Sequence, residues 1–274
     1  MAATAIPLGC STLGFRLDPL DIALSEIAAQ GFHLVDIAMY PSYCPHFNPL
    51  AATAAETSAL RAKLDERGLS VATLNASDGL LGIAAQREQA LAYARASLQL
   101  AQRLGAYGVT MQSGVEPEAG QWLEVARTVA PDLQTLGDVA ADLGLELTLE
   151  LHKTLLMATG QQAIDLMALV DHPAVGVALD PSHATCAGES VSEIAHDLGS
   201  LVKHVHLRDG RGKNIMVVPG DGDVDFAELA TMLDEIGYAR AAVIELEYAD
   251  AHATQVRPDL ERAKLLLAEY FVVA

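Results

Sequence analysis

Short apolar runs alternate along this chain with longer segments in which apolar residues recur every three or four positions. Residues 6–11 form the first apolar run, and residues 20–29 then show the longer spacing until Gly31 interrupts it. Short runs between turn residues are typical of buried strands, whereas a period of three to four residues is typical of amphipathic helices. The beginning of the chain therefore predicts a strand followed by a helix.

The same strand-helix unit recurs along the whole chain. The predicted strands cover residues 6–11, 32–39, 69–75, 107–112, 145–151, 175–180, 201–207 and 241–246. The predicted helices cover residues 20–29, 51–67, 87–104, 118–143, 161–170, 191–198, 226–236 and 256–270. We expect Pro131 to break or kink the fourth helix, because proline lacks the backbone N–H that an interior helical position donates.

Eight such units favour an α/β fold, a (β/α)8 TIM barrel with parallel strands and right-handed crossovers. A doubly wound open sheet is the rival fold, but no GxGxxG turn supports it. The 274 residues contain no linker-like stretch rich in Pro, Ser or Gly, so we expect one domain over residues 1–274. We interpret Cys10, Cys44 and Cys186 as small buried residues, because they are far apart and form no CxxC pair.

The charge of the chain bears on its partners. It carries 36 acidic and 17 basic residues, a formal net charge of −19. So acidic a surface repels phosphate backbones and anionic membranes, which disfavours nucleic acid as a partner. The chain starts without a basic flank followed by an apolar core, and no apolar run reaches the roughly 18 to 20 residues of a membrane span. We therefore expect a cytoplasmic protein with no membrane partner.

Titratable residues end each of the last four predicted strands. These residues are Glu150, Asp180, His206 and Glu245. The carboxyl ends of barrel strands converge on one mouth, so three carboxylates and an imidazole should face one another there. Buried anions at such a spacing repel one another unless protons or a cation neutralise them. Oxygen-rich ligation with one imidazole favours Mn²⁺, Mg²⁺ or Co²⁺, and we predict one such divalent metal ion per chain.

These features resemble the xylose isomerase-like TIM barrels, specifically the sugar phosphate isomerase/epimerase group, which also includes the type IV apurinic endonucleases. The resemblance spans nearly the whole chain. Besides the strand ends, it rests on Gly9-Cys-Ser-Thr, Gly31-Phe-His-Leu-Val-Asp36, Asp180 with His183, His206-Leu-Arg-Asp209 and Gly220-Asp-Gly-Asp-Val-Asp-Phe226. It implies that Glu150, Asp180, His206 and Glu245 bind the metal, and that the two glutamates are the catalytic acid and base.

Several residues near the predicted mouth are candidates for substrate binding. The resemblance implies that His183 contacts the substrate and that Arg208 or Arg211 grips it. Further candidates are His46, Gln112, His152 and Lys153, in or beside the strand ends. The basic residues among them are consistent with an anionic substrate, or equally with loop charges that balance the carboxylates. We interpret His204, which alternates with His206, as a structural residue on the other face of its strand.

The chemistry of this site predicts proton transfer next to a carbonyl. A metal ion acidifies the neighbouring C–H and stabilises the enediolate, and one glutamate removes the proton. Return of a proton to the other face gives epimerisation, and return to the neighbouring carbon gives isomerisation. We predict a divalent-metal-dependent isomerase or epimerase of a sugar or keto-sugar, free, phosphorylated or otherwise anionic.

Other functions compete with this prediction. A metal-dependent lyase or dehydratase acting on a keto-sugar or related polyol is the alternative, because the same intermediate can expel a leaving group. An abasic-site endonuclease is less well supported, since Gln112, Asn214 and Met216 stand where those enzymes have further metal ligands. A non-catalytic sugar-binding barrel would not need both glutamates. The family also implies a homo-oligomer, either a dimer or a tetramer.

Overall fold

The structure, a computed structural model, describes residues 4–249 and 255–273. Its strands are β1 (Pro7–Ser11), β2 (Leu34–Tyr40), β3 (Cys44–Pro45), β4 (Ser70–Ala76), β5 (Gly108–Gln112), β6 (Glu146–Glu150), β7 (Val175–Leu179), β8 (Val202–Leu207), β9 (Asp209–Arg211), β10 (Asn214–Val217), β11 (Ala242–Ile244) and β12 (Val272–Val273). Its helices are α1 (Leu20–Ala29), α2 (Ala54–Glu66), α3 (Arg87–Leu104), α4 (Trp122–Asp142), α5 (Gly160–Val170), α6 (Pro181–Ala187), α7 (Val191–Leu198), α8 (Phe226–Glu235) and α9 (Val256–Leu267).

Eight parallel strands close into a barrel in the order β1, β2, β4, β5, β6, β7, β8 and β11. The barrel closes because β1 pairs in parallel with both β2 and β11. This confirms the predicted (β/α)8 barrel, and the doubly wound alternative is wrong, since an open sheet leaves two unpaired edges. The carboxyl ends of all eight strands therefore surround one mouth.

Helix α4 differs from its prediction. It begins at Trp122 rather than near residue 118, and it continues as one helix through Pro131 to Asp142. Buried residues on both sides of the proline, including Val129 and Leu133, pack into the core. This packing stabilises a continuous helix, because tertiary contacts outweigh the lost backbone hydrogen bond.

Helix α6 and the β9–β10 hairpin were not predicted, because elements this short have no readable period. Helix α6 begins directly after β7, with Pro181 in its first turn. The Asp180 side chain caps this helix by accepting a hydrogen bond from Ser182 N at 2.8 Å. A helix N-terminus favours a carboxylate, so the cap fixes the Asp180 side chain at the end of its strand.

The Gly220–Val224 turn is held by one buried carboxylate. Asp209 accepts backbone hydrogen bonds from Gly210, Gly220, Gly222 and Val224, at 2.8, 2.9, 2.9 and 3.0 Å. A Cβ atom on Gly222 would lie 2.0 Å from Asp209 Oδ1, which only glycine avoids. The turn is therefore built around the Asp209 side chain.

We expect Asp209→Asn to lower the free energy of unfolding by about 3 kcal/mol, because an amide NH₂ would then face two backbone donors. Denaturant unfolding measures the change. Asp142→Asn, the same substitution at an exposed position, should change stability by less than about 0.5 kcal/mol. If Asp209→Asn lowered the free energy of unfolding by less than about 1 kcal/mol, the role given to this carboxylate would be contradicted.

Two smaller findings complete the fold. Cys10 and Cys44 are buried and Cys186 is partly exposed, and all three carry free thiols. Among the described residues, no helix combines the length and the apolar character needed to cross a bilayer.

Candidate active site

A cavity of about 250 Å³ lies at the carboxyl ends of the barrel strands. Its lining consists largely of polar side chains. The lining residues are Leu13, Tyr40, Pro41, Ser42, Tyr43, Asn75, Ser77, Asp78, Gly79, Gln112, Glu150, His152, Arg208, Glu245 and Glu247. Such a cavity fits a small polyhydroxylated molecule, because each hydroxyl group requires a hydrogen-bond partner when it leaves water.

The four predicted metal ligands lie together at this cavity. One ligand atom from each of Glu150, Asp180, His206 and Glu245 lies within 4.8 Å of the other three, and all four residues are buried. The His206 Nδ1 atom is 3.2 Å from Glu150 Oε1 and 3.6 Å from Glu245 Oε2. We refer to these residues as the carboxylate cluster.

Burial and mutual repulsion perturb the cluster. Burial raises the pKa of Glu245 to about 7, with Glu150 and Asp180 adding to the rise. Burial by itself would lower the pKa of His206, but the Glu245 and Glu150 carboxylates raise it to about 10. Both shifts favour taking up a proton, so the cluster has an excess of negative charge that a bound cation would neutralise.

Arg208 partly balances this charge. Its Nη2 and Nε atoms donate to Asp180 Oδ2 at 2.6 and 2.9 Å, and Nη2 also lies 3.1 Å from Glu245 Oε2. Its Nη1 atom donates to Glu247 Oε2 at 2.5 Å, and Tyr43 donates to the other Glu247 oxygen at 2.8 Å. Arg208 is thus engaged by carboxylates on both sides, and its side chain is only 4% exposed.

The donor set of the carboxylate cluster fits a hard divalent cation. Three carboxylates and one imidazole nitrogen match the oxygen-rich ligation of Mn²⁺, Mg²⁺ or Co²⁺, and none of the four is a thiolate. The cluster could therefore hold one metal ion.

Glu245 is oriented by its neighbours on the cavity wall. Asn75 donates from Nδ2 to Glu245 Oε1 at 3.0 Å, and the Tyr40 hydroxyl donates to Oδ1 of the same Asn75 side chain. These contacts join β2 and β4 to the residue that follows β11. One oxygen of Glu245 is thus held by Asn75, while the other faces His206 and Arg208.

Three of the predicted substrate-binding residues line the cavity: Arg208, His152 and Gln112. His183 does not line it, although its buried ring stacks on that of His152 with the centroids 3.9 Å apart. The His183 Nδ1 atom accepts from Lys153 N at 3.3 Å. Burial lowers the pKa of His183 to about 3, so the ring is neutral at physiological pH.

The other three predicted substrate contacts lie away from the cavity lining. The Lys153 ammonium group donates to the Lys213 carbonyl at 2.5 Å, and Arg211 faces Asp223 across 3.7 Å with a side chain 64% exposed. His46, predicted to contact the substrate, instead contacts the segment that follows β1 through both of its ring nitrogens. Its Nδ1 lies 3.0 Å from Thr12 Oγ1, and its Nε2 lies 3.2 Å from the carbonyls of Phe15 and Asp18.

The prediction that His204 points to the other face of β8 is wrong. Its ring lies 4.9 Å from that of His206, so both point to the same side of β8. The physical reason is that side chains alternate every residue along a strand, so residues two apart share a face. His204 Nε2 lies 2.7 Å from Asp36 Oδ2 in the barrel interior.

Sequence reasoning missed several residues of the cavity. Asn75 lies near the end of β4, so it carries the same strand-end signal that identified the carboxylate cluster. Glu247 lies two residues beyond Glu245, and both side chains line the cavity. Tyr40 ends β2 and Tyr43 follows it, and no local sequence signal distinguishes them from packing aromatics.

Two solved structures show the same fold. A 3-keto-D-glucoside 4-epimerase from E. coli superposes with a TM-score of 0.77 at 22% identity, covering 95% of this chain and 99% of that chain. A D-psicose 3-epimerase superposes with a TM-score of 0.75 at 18% identity, covering 96% and 99%.

Curated relatives include inosose dehydratases. The enzyme of Clostridium perfringens strain 13 is 28% identical over 158 residues, which make up 51% of this chain and 53% of the relative. The enzyme of Clostridium beijerinckii is 30% identical over 149 residues, which make up 46% and 49%. The chain thus spans about half the length of the curated relatives that it matches. The sequence of residues 24–266 matches the family described as the xylose isomerase-like TIM barrel, and the chain belongs to that family.

Proposed function

We propose that this protein is a divalent-metal-dependent isomerase or epimerase that moves a proton next to the carbonyl of a sugar or keto-sugar. The observation that carries the proposal is the carboxylate cluster, in which three carboxylates and one imidazole meet within 4.8 Å at a polar cavity. Two glutamates of this cluster line the cavity, so a substrate bound there contacts both carboxylates.

A divalent cation bound by Glu150, Asp180, His206 and Glu245 would act as a Lewis acid, polarising a substrate carbonyl and acidifying the neighbouring C–H. The residues of the chain supply the proton transfers. Glu245 is the candidate general base, because it lines the cavity and its carboxylate is oriented by Asn75 and faces His206 and Arg208. Glu150 is the second proton carrier, and Asn75 holds Glu245 in place.

The charges around the cavity favour an uncharged substrate. Among the described lining residues, Arg208 is the one Lys or Arg side chain, and carboxylates already engage it on both sides. Glu247 and Asp78 add negative charge to the same wall. A phosphate group would meet repulsion here without a free cationic partner, so we propose a neutral polyhydroxylated ketone rather than a phosphorylated sugar.

A dehydratase is the second candidate function. The two curated relatives described above are inosose dehydratases, and the matching regions cover about half of each. His152 lines the cavity beside Glu150, where an imidazole could donate a proton to a departing hydroxyl group. Elimination would begin with the same proton removal by a glutamate and differ only in the fate of the neighbouring C–O bond.

The test is a panel of free sugars, phosphorylated sugars, 3-keto sugars and inososes, incubated with the protein and Mn²⁺, Mg²⁺ or Co²⁺ in D₂O. We expect one neutral ketone to take up deuterium at the carbon beside its carbonyl, because proton removal exposes that carbon to solvent deuterons. Product NMR identifies both the deuterated position and the product. An isomer that carries deuterium at that carbon supports the leading function, whereas an enone that has lost one water supports dehydration.

The control is the same protein treated with a chelator and then dialysed, which should lose the deuterium exchange. Exchange that survives complete metal removal would contradict the metal-dependent mechanism. Turnover of the phosphorylated sugars alone would contradict the proposed neutral substrate.

A further inference from the structure

A buried polar residue lies beneath the carboxylate cluster and has no part in the chemistry proposed above. Asp36, on β2, is fully buried, and it contacts His204 on β8. Strands β2 and β8 are separated in the barrel by β1 and β11, so this contact crosses the barrel interior. An ionised carboxylate in such a place is costly unless several donors satisfy it.

The donors to Asp36 are well defined. Thr73 N donates to Oδ1 at 2.9 Å, and His204 Nε2 lies 2.7 Å from Oδ2. His204 Nδ1 lies 2.7 Å from the Tyr107 hydroxyl, which can donate to it. A carboxylate only accepts hydrogen bonds, so with Asp36 ionised His204 Nε2 is the donor across the 2.7 Å contact.

The same Asp36 oxygen faces a metal ligand. His206 presents Nδ1 to the carboxylate cluster, at 3.2 Å from Glu150 Oε1, and its other nitrogen, Nε2, lies 3.8 Å from Asp36 Oδ2. This Nε2 is buried and has no hydrogen-bond partner among the described protein atoms. Asp36 is thus the charged group on the side of the ring that faces away from the cluster.

We propose that Asp36 is a positioning residue for the metal ligand His206, holding the ring proton on Nε2 so that the Nδ1 lone pair points into the carboxylate cluster. The His206 Nδ1 atom lies within hydrogen-bond distance of Glu150 Oε1. A cation bound by the cluster would take the Nδ1 lone pair in place of that contact and leave the one ring proton on Nε2, where Asp36 is the facing carboxylate. Such partners of ligating histidines typically change metal affinity by about 10- to 100-fold. The inference rests on the proposed function, because it requires the cluster to bind a metal ion.

The geometry argues against a second metal ion bound by Asp36, His204 and His206, although their ligand atoms lie within 4.8 Å of one another. The distance of 2.7 Å between Asp36 and His204 is that of a direct hydrogen bond. Two ligand atoms that share an ion with bonds of about 2.1 Å normally lie farther apart than this.

The test compares Asp36→Asn with His204→Asn in the full chain, stripped of metal and titrated with Mn²⁺ by calorimetry. Both variants disturb the Asp36–His204 hydrogen bond, because the amide in Asp36→Asn has one oxygen for the two donors Thr73 N and His204 Nε2, and His204→Asn removes the imidazole. Only Asp36→Asn removes the charge opposite His206 Nε2. We expect the Kd for Mn²⁺ to rise about 10- to 100-fold in Asp36→Asn and to change by less than about threefold in His204→Asn. Thermal unfolding of the metal-free proteins shows how far each variant is destabilised.

An equal loss of affinity in both variants would overturn the inference, because it would assign the effect to the lost hydrogen bond. If the wild type binds Mn²⁺ and Asp36→Asn binds it with the same Kd, the inference is also overturned, but the proposed function is not. A wild type that binds no Mn²⁺, Mg²⁺ or Co²⁺ would overturn both. Two ions per chain, with the second lost in Asp36→Asn, would replace the positioning role by a metal site.

A second measurement uses the wild-type protein and therefore does not depend on the folding of a variant. In the Co²⁺-loaded wild type, a ligating histidine with a protonated outer nitrogen gives a strongly shifted ring N–H resonance in the proton NMR spectrum. We expect this resonance to exchange slowly with D₂O, because the Nε2–H is buried against Asp36. Its absence from a Co²⁺-loaded protein would overturn the proposed position of the proton.

Discussion

Glu245→Gln is expected to lower turnover by about 10²- to 10⁴-fold, the usual contribution of a general base. The amide cannot accept a proton, and it also removes one oxygen donor from the carboxylate cluster. Glu150→Gln should cause a loss of the same order, because the second proton carrier is then missing. The measurement is kcat on the substrate found by the deuterium screen, at saturating metal.

The matched comparison is Asp180→Asn, which also removes one carboxylate from the cluster. Asp180 does not line the cavity, so we expect excess metal to restore most of the turnover in this variant. Glu66→Gln, the same chemical change at a side chain that is 75% exposed, should leave kcat unaltered. Turnover of Glu245→Gln within tenfold of the wild type would rule out Glu245 as the base.

Addition of Mn²⁺, Mg²⁺ or Co²⁺ to the metal-free protein is expected to raise its Tm by roughly 5 to 10 °C. A ligand that binds only the folded chain stabilises it by about 2.7 kcal/mol at a hundredfold excess over Kd. For a chain of this size each kcal/mol corresponds to about 2 to 4 °C. The physical cause is relief of repulsion among three buried carboxylates that lie within 4.8 Å of one another.

Calorimetric unfolding with and without metal measures this shift, and NaCl at matched ionic strength is the control for general screening. A variant carrying both Glu150→Gln and Glu245→Gln should show no rise in Tm, because two of four ligands are absent. If none of the three cations raised the Tm of the wild type, the assignment of the carboxylate cluster as a metal centre would fail.

Much of the fold could be predicted from the sequence. The eight strand-helix units and the parallel barrel follow from apolar periodicity and from turn residues such as Gly31, which are local properties of the chain. Helix α4 is not broken at Pro131, because a proline signal is local whereas the continuity of the helix depends on packing along α4.

The candidate site was predicted unevenly. Glu150, Asp180, His206 and Glu245 were expected to meet because each ends a barrel strand, and they lie within 4.8 Å of one another. The loop residues were less predictable. His46 faces the backbone of the loop after β1, whereas Tyr43, from the same region, lines the cavity. Loop paths depend on contacts with distant segments, which periodicity does not encode.

The sequence by itself determined which residues end each strand, and therefore which side chains a closed parallel barrel brings to its mouth. Only the tertiary structure decided what surrounds those side chains. The contacts of Asn75 with Glu245 and of Asp36 with His204 join residues 170 and 168 positions apart, respectively. Closure of the barrel brings such pairs together across its interior, and no pattern within one strand specifies the partner that it meets there.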